Sequence, residues 1–155
     1  MGKNEAVMTV GEWMTRRPFT VDADSTLAEA WRLMRGKRIR HLPVREKTKL
    51  VGIVSDRDIR LAFPPPLEED REVWDRRGLM ERTRVWQIMT RVVMVVPPEA
   101  PLERAAQILL RNRVGSLPVM ADARLVGIIT ETDVLRAFVA LCTAGRLPGS
   151  RAPRR

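Results

Sequence analysis

The sequence predicts an α/β (α+β) protein made of two pseudo-symmetric β-α-β-β-α units. The first observation is an internal repeat: residues 40–58, RHLPVREKTKLVGIVSDRD, recur in altered form at residues 115–133 as GSLPVMADARLVGIITETD. The second is a fixed offset of 75 residues, which aligns Asp58 with Asp133 and holds without a gap over about fifty residues. The third is that short β-prone runs and stretches of helical period alternate in the same order in both copies.

Each copy opens with a short β-prone run followed by an amphipathic helix. The runs are Phe19–Val21 in the first copy and Met94–Val96 in the second. Ser25 or Thr26 is the expected N-cap of the first helix, and Pro101 is expected in the first turn of the second. Apolar residues at i, i+3, i+4 and i+7 form one face of each helix: Leu27, Ala30, Trp31 and Met34, then Leu102, Ala105, Ala106 and Leu109.

Two strands and a closing helix complete each copy. The strands are HLPVR and KLVGIVS around the polar EKTK, and SLPVM and RLVGIIT around ADA. The closing helices carry apolar residues at helical spacing: Ile59, Ala62 and Phe63, then Val134, Ala137, Phe138 and Leu141. A unit of about fifty residues is near the lower limit for burying a core alone. We therefore expect the copies to pack about a pseudo-two-fold axis and to form a cleft from equivalent residues of both.

The repeats divide the chain into five parts. We expect an N-terminal segment at 1–9, repeat 1 at 10–63, a connector at 64–84, repeat 2 at 85–142 and a basic, disordered tail at 143–155. Three consecutive prolines stop the last helix of repeat 1. The charged connector has four apolar residues that are candidates for anchoring it: Leu67, Val73, Trp74 and Leu79.

Composition narrows the possible functions. The chain has 155 residues and a formal net charge of +9, and four of the positive charges lie in the tail. Because arginine outnumbers lysine 24 to 4, this basicity is weak support for a polyanionic partner. No apolar run approaches the roughly 20 residues that cross a bilayer, and the first residues lack the apolar stretch of a signal peptide. These features predict a cytoplasmic protein that does not contact a membrane.

Cysteine and histidine counts exclude several kinds of chemistry. Cys142 is the single cysteine and His41 the single histidine, so neither a disulfide framework nor a Cys/His zinc site is expected. Cys142 lies in the apolar run AFVALC and is expected to be buried packing. Since the sequence has no Gly-rich phosphate loop and no nucleophile–base pair, no catalytic residue and no metal site is predicted.

A Ser/Thr-x-x-Asp motif follows the last strand of each copy, as Ser55 with Asp58 and Thr130 with Asp133. One interpretation is a capping box that closes a helix and binds nothing. The other is a ligand site, because the hydroxyl lies beside unpaired N–H groups that favour anions, and an Asp one turn later can accept hydrogen bonds from two vicinal hydroxyls. The recurrence of the motif after a Gly-Ile-Val or Gly-Ile-Ile strand favours the ligand site.

These motifs make the chain similar to a tandem pair of CBS (cystathionine β-synthase) domains, often called a Bateman module. The resemblance is carried by MTRRPFTVDADSTLAEAWRLMRGKRIRHLPVREKTKLVGIVSDRDI and MTRVVMVVPPEAPLERAAQILLRNRVGSLPVMADARLVGIITETDV. Among CBS pairs, the chain most resembles those of bacterial acetoin-utilization-type proteins. The resemblance implies a non-catalytic regulatory module that needs no cofactor, binds an adenosine-containing ligand (AMP, ADP, ATP or S-adenosylmethionine) and acts on a partner protein.

The resemblance also implies where a ligand binds, with the Ser/Thr and Asp of each motif serving ribose and phosphate. The base is expected between the first strand and the segment before Leu-Pro-Val: Phe19, Thr20, Ile39, Arg40 and His41, then Val93, Met94, Val114, Gly115 and Ser116. Pro43 and Pro118 each remove a strand donor, which would leave neighbouring peptide groups for the adenine edge; a sheet-edge proline is the alternative. Gly52 and Gly127 leave room either for a ligand or for strand packing.

The two expected sites differ in charge. The first copy brings six basic residues near its site: Lys37, Arg38, Arg40, His41, Arg57 and Arg60. The second copy offers only Arg111 and Arg113. Its Leu135 stands at the position equivalent to Arg60. Since guanidinium groups bind phosphate bidentately, we expect the first site to take the more phosphorylated ligand, with Arg40 and His41 as phosphate contacts. The second site is expected to be weaker or to hold a less anionic ligand.

Two other functions remain open besides regulation by a ligand. A homodimer is expected, and an exposed helical face that includes Trp31 or Phe138 would suit a dimerisation scaffold that binds no ligand. The net charge and the arginine-rich tail would suit a nucleic-acid binder, whose affinity would fall steeply with salt. The leading prediction is a cytoplasmic regulatory module in which ligand favours one packing of the two copies and so signals to an unidentified protein.

Overall fold

The computed structural model describes residues 7–63 and 76–144, which form two three-stranded sheets covered by helices. The helices are α1 (Val10–Trp13), α2 (Leu27–Lys37), α3 (Asp56–Ala62), α4 (Arg76–Arg82), α5 (Leu102–Asn112) and α6 (Glu131–Thr143), with a 3₁₀ helix at Val85–Gln87. The strands are β1 (Thr15–Arg16), β2 (Val21–Asp22), β3 (His41–Glu46), β4 (Lys49–Ser55), β5 (Ser116–Ala121) and β6 (Arg124–Thr130). The predicted mixed α/β class is confirmed. No helix in these ranges combines the length and the apolar character that crossing a membrane requires.

Equivalent strands pair in the same way in the two halves. In the first sheet, β2 is parallel to β3, with Val21 opposite Val44, and β3 is antiparallel to β4. In the second, β5 is antiparallel to β6, and Val96 makes a parallel bridge to Val119. A separate cluster of buried apolar side chains packs in each half. The offset of the sequence repeat therefore predicts the register of the second sheet from that of the first.

The first segment of each repeat crosses to the other half. Helix α1 packs in the core of the second half, and β1 pairs antiparallel with β6, with Thr15 opposite Ile128. In the equivalent exchange, residues 85–90 reach the first half, where Thr90 bridges to Ile53. Each core is thus completed by residues from the other repeat, which ties the halves together.

Two glycines allow the crossing segments to approach the sheets. A Cβ at Gly52 would lie 2.6 Å from the Met89 sulfur and 2.9 Å from the Thr90 carbonyl oxygen. A Cβ at Gly127 would meet the equivalent segment, with the Thr15 carbonyl oxygen 3.1 Å away. Both glycines therefore serve packing, which decides between the two interpretations that the sequence left open.

The starts of the first strands and helices differ in detail from expectation. Strand β2 begins only at Val21, and within 94–96 only Val96 makes a bridge. Thr26 is the N-cap of α2 and accepts a hydrogen bond from a backbone N–H of the first turn. Pro101 is itself the N-cap of α5 rather than a residue of its first turn.

Helix α6 carries an exposed apolar stripe. Leu135, Phe138 and Val139 are 62, 52 and 60% exposed. Cys142 continues the stripe at helical spacing and is also exposed, so the expectation that it is buried packing is wrong. The apolar periodicity is real, but at these positions it marks an outward face rather than the core.

Helix α4 is the described part of the connector. Its buried anchor is Met80, at 6% exposure, whereas Leu79 is 37% exposed. The guanidinium groups of Arg35 and Arg76 each lie 5.9 Å from the centroid of the Trp31 ring, so this face of α2 is partly covered. The remaining candidate anchors and most of the expected tail lie outside the described residues: Leu67, Val73, Trp74 and residues 145–155.

Candidate functional site

The two Ser/Thr-x-x-Asp motifs form capping boxes at the start of α3 and α6. Asp58 Oδ2 accepts hydrogen bonds from the Ser55 backbone N–H and hydroxyl at 2.8 and 2.7 Å, and the Asp58 N–H donates to Ser55 Oγ at 3.2 Å. Thr130 and Asp133 repeat these bonds at 2.9, 2.7 and 3.3 Å. The capping interpretation is therefore correct for both motifs, and it uses one oxygen of each carboxylate.

The second carboxylate oxygen differs between the motifs. Among the described residues, none makes a hydrogen bond or an ion pair with Asp58 Oδ1. Asp133 Oδ1 lies 3.5 Å from the Arg136 guanidinium, and the Asp133 side chain is 7% exposed. At the position equivalent to Arg136, the first half has Leu61, which cannot pair with a carboxylate. Asp58 thus retains an open acceptor, whereas Asp133 is already engaged.

A cavity of about 630 Å³ lies beside Asp58, and we call it the larger cavity. The first half contributes the end of β4 and the start of α3, and the second half contributes residues 92–94 and 113–117. The sequence-predicted site residues that line it are Arg40, His41, Ser55, Asp58, Val93, Met94, Val114, Gly115 and Ser116.

A cavity of about 260 Å³ lies beside Asp133, and we call it the smaller cavity. Here the motif comes from the second half and the opposite wall from the first. The sequence-predicted site residues that line it are Phe19, Ile39, Arg40, His41, Thr130 and Asp133.

Each cavity therefore joins the motif of one repeat to the first-strand and pre-β segments of the other, which corrects the predicted distribution of charge. Arg38, expected beside Asp58, lines the smaller cavity, and its equivalent Arg113 lines the larger one. Lys37 and Arg111 line neither. Lys37 instead lies with its ammonium group 4.9 Å from the centroid of the Phe19 ring. Four of the six basic residues line the larger cavity as the sequence predicted, namely Arg40, His41, Arg57 and Arg60.

Three further predicted site residues line neither cavity: Thr20, Pro43 and Pro118. Thr20 precedes β2. The two prolines are buried inside β3 and β5, opposite residues of the adjoining strands. The Pro118 carbonyl accepts a hydrogen bond from the Val96 N–H at 3.2 Å. Because both strands remain paired around the proline, these positions do not supply free peptide groups for a base.

The larger cavity extends across the axis that relates the halves, because Arg40 and His41 line both cavities. Their equivalents in the second repeat are Gly115 and Ser116. A Cβ at Gly115 would lie 2.7 Å from His41 Nε2, so the imidazole packs directly on the bare glycine backbone. The imidazole thus occupies the space that a side chain at Gly115 would need.

Two polar groups at this end of the larger cavity have unusual surroundings. Burial and the Arg40 guanidinium lower the pKa of His41 below its ordinary value of 6.5, with the nearby carboxylates acting in the opposite direction. The imidazole is therefore neutral at neutral pH. Ser116 Oγ is buried and has no hydrogen-bond partner within the described ranges. The imidazole can accept or donate a hydrogen bond to a molecule in the cavity, whereas Ser116 Oγ is covered by its neighbours.

Sequence reasoning missed several wall residues. Some recur at the 75-residue offset and could have been found from the repeat, namely Thr15 with Thr90 and Asp56 with Glu131. Leu61 and Arg136 are also equivalent positions, at the larger and the smaller cavity respectively, but their side chains differ in chemistry and gave no signal. Val92, which is 90% exposed at the larger cavity, gave none either.

Comparison with known proteins identifies the architecture. The family model described as CBS domain matches the chain twice, at residues 10–64 and 85–140. A structure of a protein assigned to acetoin utilization (AcuB) from Vibrio cholerae is 34% identical with a TM-score of 0.72, and the match covers 90% of this chain and 96% of that one.

Two further structures that are similar to this chain contain adenosyl ligands. CBSX2 in complex with AMP is 30% identical with a TM-score of 0.70, over 86% of this chain and 98% of that one. The CBS domain pair of protein MJ0100, in complex with 5′-methylthioadenosine and S-adenosyl-L-methionine, is 27% identical with a TM-score of 0.70, again over 86 and 98%. With two family matches that together span most of its residues, this chain belongs to the CBS domain family as a tandem CBS pair.

Proposed function

We propose that this CBS pair is a non-catalytic regulatory module that binds AMP, ADP, ATP or S-adenosylmethionine in the larger cavity. The observation that carries the proposal is the Asp58 carboxylate. Its Oδ1 has no partner among the described residues, and it lies at the wall of a cavity of about 630 Å³. An ionised carboxylate with an open oxygen beside such a space is suited to the vicinal hydroxyls of a ribose.

The other walls suit the rest of such a ligand. Val93, Met94 and Val114 provide apolar surface for a base. Arg57 and Arg113 are exposed arginines at the same cavity, and guanidinium groups bind phosphate oxygens bidentately. Base, sugar and phosphate thus each have a matching group. The AMP held by CBSX2 and the adenosyl compounds held by protein MJ0100 support this class of ligand.

The proposal includes unequal sites, with the more phosphorylated ligand in the larger cavity. Four arginines at the larger cavity were expected to favour this, but one of them, Arg38, lies at the smaller cavity instead. The difference rests on two other observations. The smaller cavity has about 260 Å³ against about 630 Å³, and Asp133 is already paired with Arg136. A ligand in the smaller cavity must displace that pair, so binding there is weaker.

The regulatory part of the proposal follows from where the ligand lies. A molecule in either cavity touches both repeats and favours the relative packing that fits it best. The module then passes this preference to an unidentified protein, as a homodimer in the cytoplasm. The exposed stripe of α6, with Leu135, Phe138 and Val139, supports a second protein surface at this helix.

A dimerisation scaffold that binds no ligand is the second candidate, favoured by the same stripe on α6. Isothermal titration calorimetry with AMP, ATP and S-adenosylmethionine separates the two, together with light scattering to measure the oligomeric state. We expect saturable binding of at least one ligand, weakened by Asp58→Asn and unchanged by Asp122→Asn, an exposed turn residue outside both cavities. A folded dimer that binds none of the three would establish the scaffold. Nucleic-acid binding would depend on the arginine-rich tail, of which residues 145–155 lie outside the described ranges.

A further inference from the structure

Two adjacent residues, one of them a charged arginine, serve both cavities. Arg40 and His41 line the larger cavity and the smaller one, whereas the equivalent Gly115 and Ser116 of the second repeat carry no charge. The Arg40 side chain is exposed, and it makes no hydrogen bond or ion pair with any residue that the structure describes. Its guanidinium group is therefore available to an anion in either cavity.

The larger cavity depends on Arg40 for its positive charge. Its other ionised side chains are three arginines and three carboxylates: Arg57, Arg60, Arg113, Asp56, Asp58 and Glu131. The three positive and three negative charges cancel, and the Arg60 guanidinium is already paired with the Asp56 carboxylate at 2.7 Å. The smaller cavity has two arginines of its own against one carboxylate. An anionic ligand in the larger cavity is thus the one that most needs Arg40.

We propose that the two cavities compete for Arg40, so that a phosphate-bearing ligand in the larger cavity weakens binding of a second such ligand in the smaller one. This inference rests on the proposed function, because it concerns the phosphate of an adenosyl ligand. A guanidinium group can form a bidentate pair with only one phosphate at a time. By linkage, the weakening is the same in both directions.

The competition has a chemical signature. The second AMP should bind about tenfold more weakly than it would to a protein whose other cavity is empty, within the range of about 5 to 150-fold that is typical of coupled sites. Uncharged 5′-methylthioadenosine has the same base and ribose but no phosphate. It does not draw on Arg40, so its two binding events should be independent.

Calorimetric titration with AMP tests this at about pH 7.5, where His41 with its lowered pKa is neutral. The affinity of the smaller cavity is measured twice: as the second event in the wild-type protein, and alone in Asp58→Asn. We expect the wild-type value to be about tenfold weaker. In the Arg40→Ala protein, the affinity of the second binding event should equal the affinity of the smaller cavity in the Arg40→Ala, Asp58→Asn double variant.

Arg38 and Arg113 provide matched controls, because they are equivalent exposed arginines that each line one cavity only. Arg38→Ala should weaken the smaller cavity and Arg113→Ala the larger one, and both should leave the ratio between the coupled and uncoupled affinities intact. Circular dichroism confirms that the variants are folded.

The outcomes separate this inference from the proposed function. If AMP binds and the two affinities of the smaller cavity agree, or if the coupling survives Arg40→Ala, or if 5′-methylthioadenosine shows the same coupling, the competition is wrong and the ligand-binding function stands. If the wild-type protein binds a single AMP and the Asp58→Asn variant binds none, the competition is also wrong, and the ligand-binding function still stands. If the wild-type protein binds no AMP at all, both are wrong.

Discussion

The two halves of this CBS pair share a framework and differ at the cavity walls. The capping boxes of α3 and α6 agree to within 0.1 Å in each hydrogen bond. The registers of β3 with β4 and of β5 with β6 shift at the same place, after Val44 and after Val119. Even the residues that end α2 and α5, Arg38 and Arg113, share a left-handed backbone with φ of 54 and 53°.

The walls differ at several equivalent positions, and three of these pairs change the charge or the hydrogen bonding of the sites. Arg40 and His41 stand opposite the small residues of the second repeat, Gly115 and Ser116, and Leu61 corresponds to Arg136. Arg40 supplies a charge that the two cavities share, and Leu61 leaves the Asp58 carboxylate without an arginine partner. Framework positions must fit buried neighbours and a set backbone geometry, whereas wall positions border open space and accept many side chains. A duplicated fold can therefore hold two different sites.

The largest expected effect tests whether the frameworks are in fact equal. Leu42 and Leu117 are equivalent and are 0 and 1% exposed. Substituting either with alanine removes buried apolar surface and leaves a cavity, which should lower the free energy of unfolding by about 2–5 kcal/mol. Because their surroundings match, we expect the two losses to agree within about 1 kcal/mol. Urea denaturation followed by circular dichroism measures both, and a clearly unequal pair of losses would contradict the shared framework.

The next effect separates the two carboxylates. Asp58→Asn should lower ATP affinity by about 10 to 100-fold, the worth of a hydrogen bond to a charged group, because it removes the charge from the open acceptor. Asp133→Asn should have a smaller effect, since Asp133 is already paired with Arg136. Asparagine keeps a side-chain oxygen for the capping bonds, so the helix starts are retained. Equal losses of ATP affinity in calorimetry would show that the cavities are not functionally different.

The sequence was sufficient to predict the framework because the framework is repeated. The 75-residue offset pairs Asp58 with Asp133 and places the helices and strands of the second half once those of the first are known. The motif of each copy and its capping bonds followed from local chemistry alone. What an offset shows is which residues are equivalent, and this is enough for fold class and for the two carboxylates.

The offset does not show which residues touch. Pairing of Thr15 with Ile128 joins positions far apart in the chain, and no local pattern signals that the first segment of each repeat crosses over. Nor does the offset show that Arg38 lies at the smaller cavity, beside the motif of the other repeat. Cys142 was misplaced for a related reason, since an apolar period does not tell a core face from an exposed one.

A smaller effect sharpens the comparison at the axis. Gly115→Ala places a Cβ 2.7 Å from His41 Nε2, so the imidazole must shift into the larger cavity. ATP affinity should fall by about three- to tenfold, equivalent to roughly 0.7–1.4 kcal/mol, and His41→Ser in the same protein should restore it by making room.

Gly52→Ala is the matched control for that substitution. Its Cβ would lie 2.9 Å from the Thr90 carbonyl oxygen, which is backbone and cannot swing aside. We expect it to destabilise the fold by about 1–3 kcal/mol. If Gly115→Ala instead lowered stability to the same extent and left ATP affinity unchanged, His41 would not be a movable wall of the cavity.

The smallest effect concerns pH, and it arises in one half only, because Ser116 stands at the position equivalent to His41 and does not titrate in this range. Since the pKa of His41 is lowered on folding by burial and by Arg40, the unfolded chain takes up the proton first as pH falls. The associated stability is fully present above about pH 6.5 and is lost as pH falls through the pKa of His41 in the folded protein.

Urea denaturation between about pH 7.5 and 5.5 should show the wild-type protein losing stability relative to His41→Ser. Saturating ATP should reduce that loss, because a phosphate near the imidazole favours its protonated form. Parallel profiles for the two proteins would mean that His41 is as accessible to solvent as in the unfolded chain, and that the axis between the cavities is not the enclosed surface on which their inequality depends.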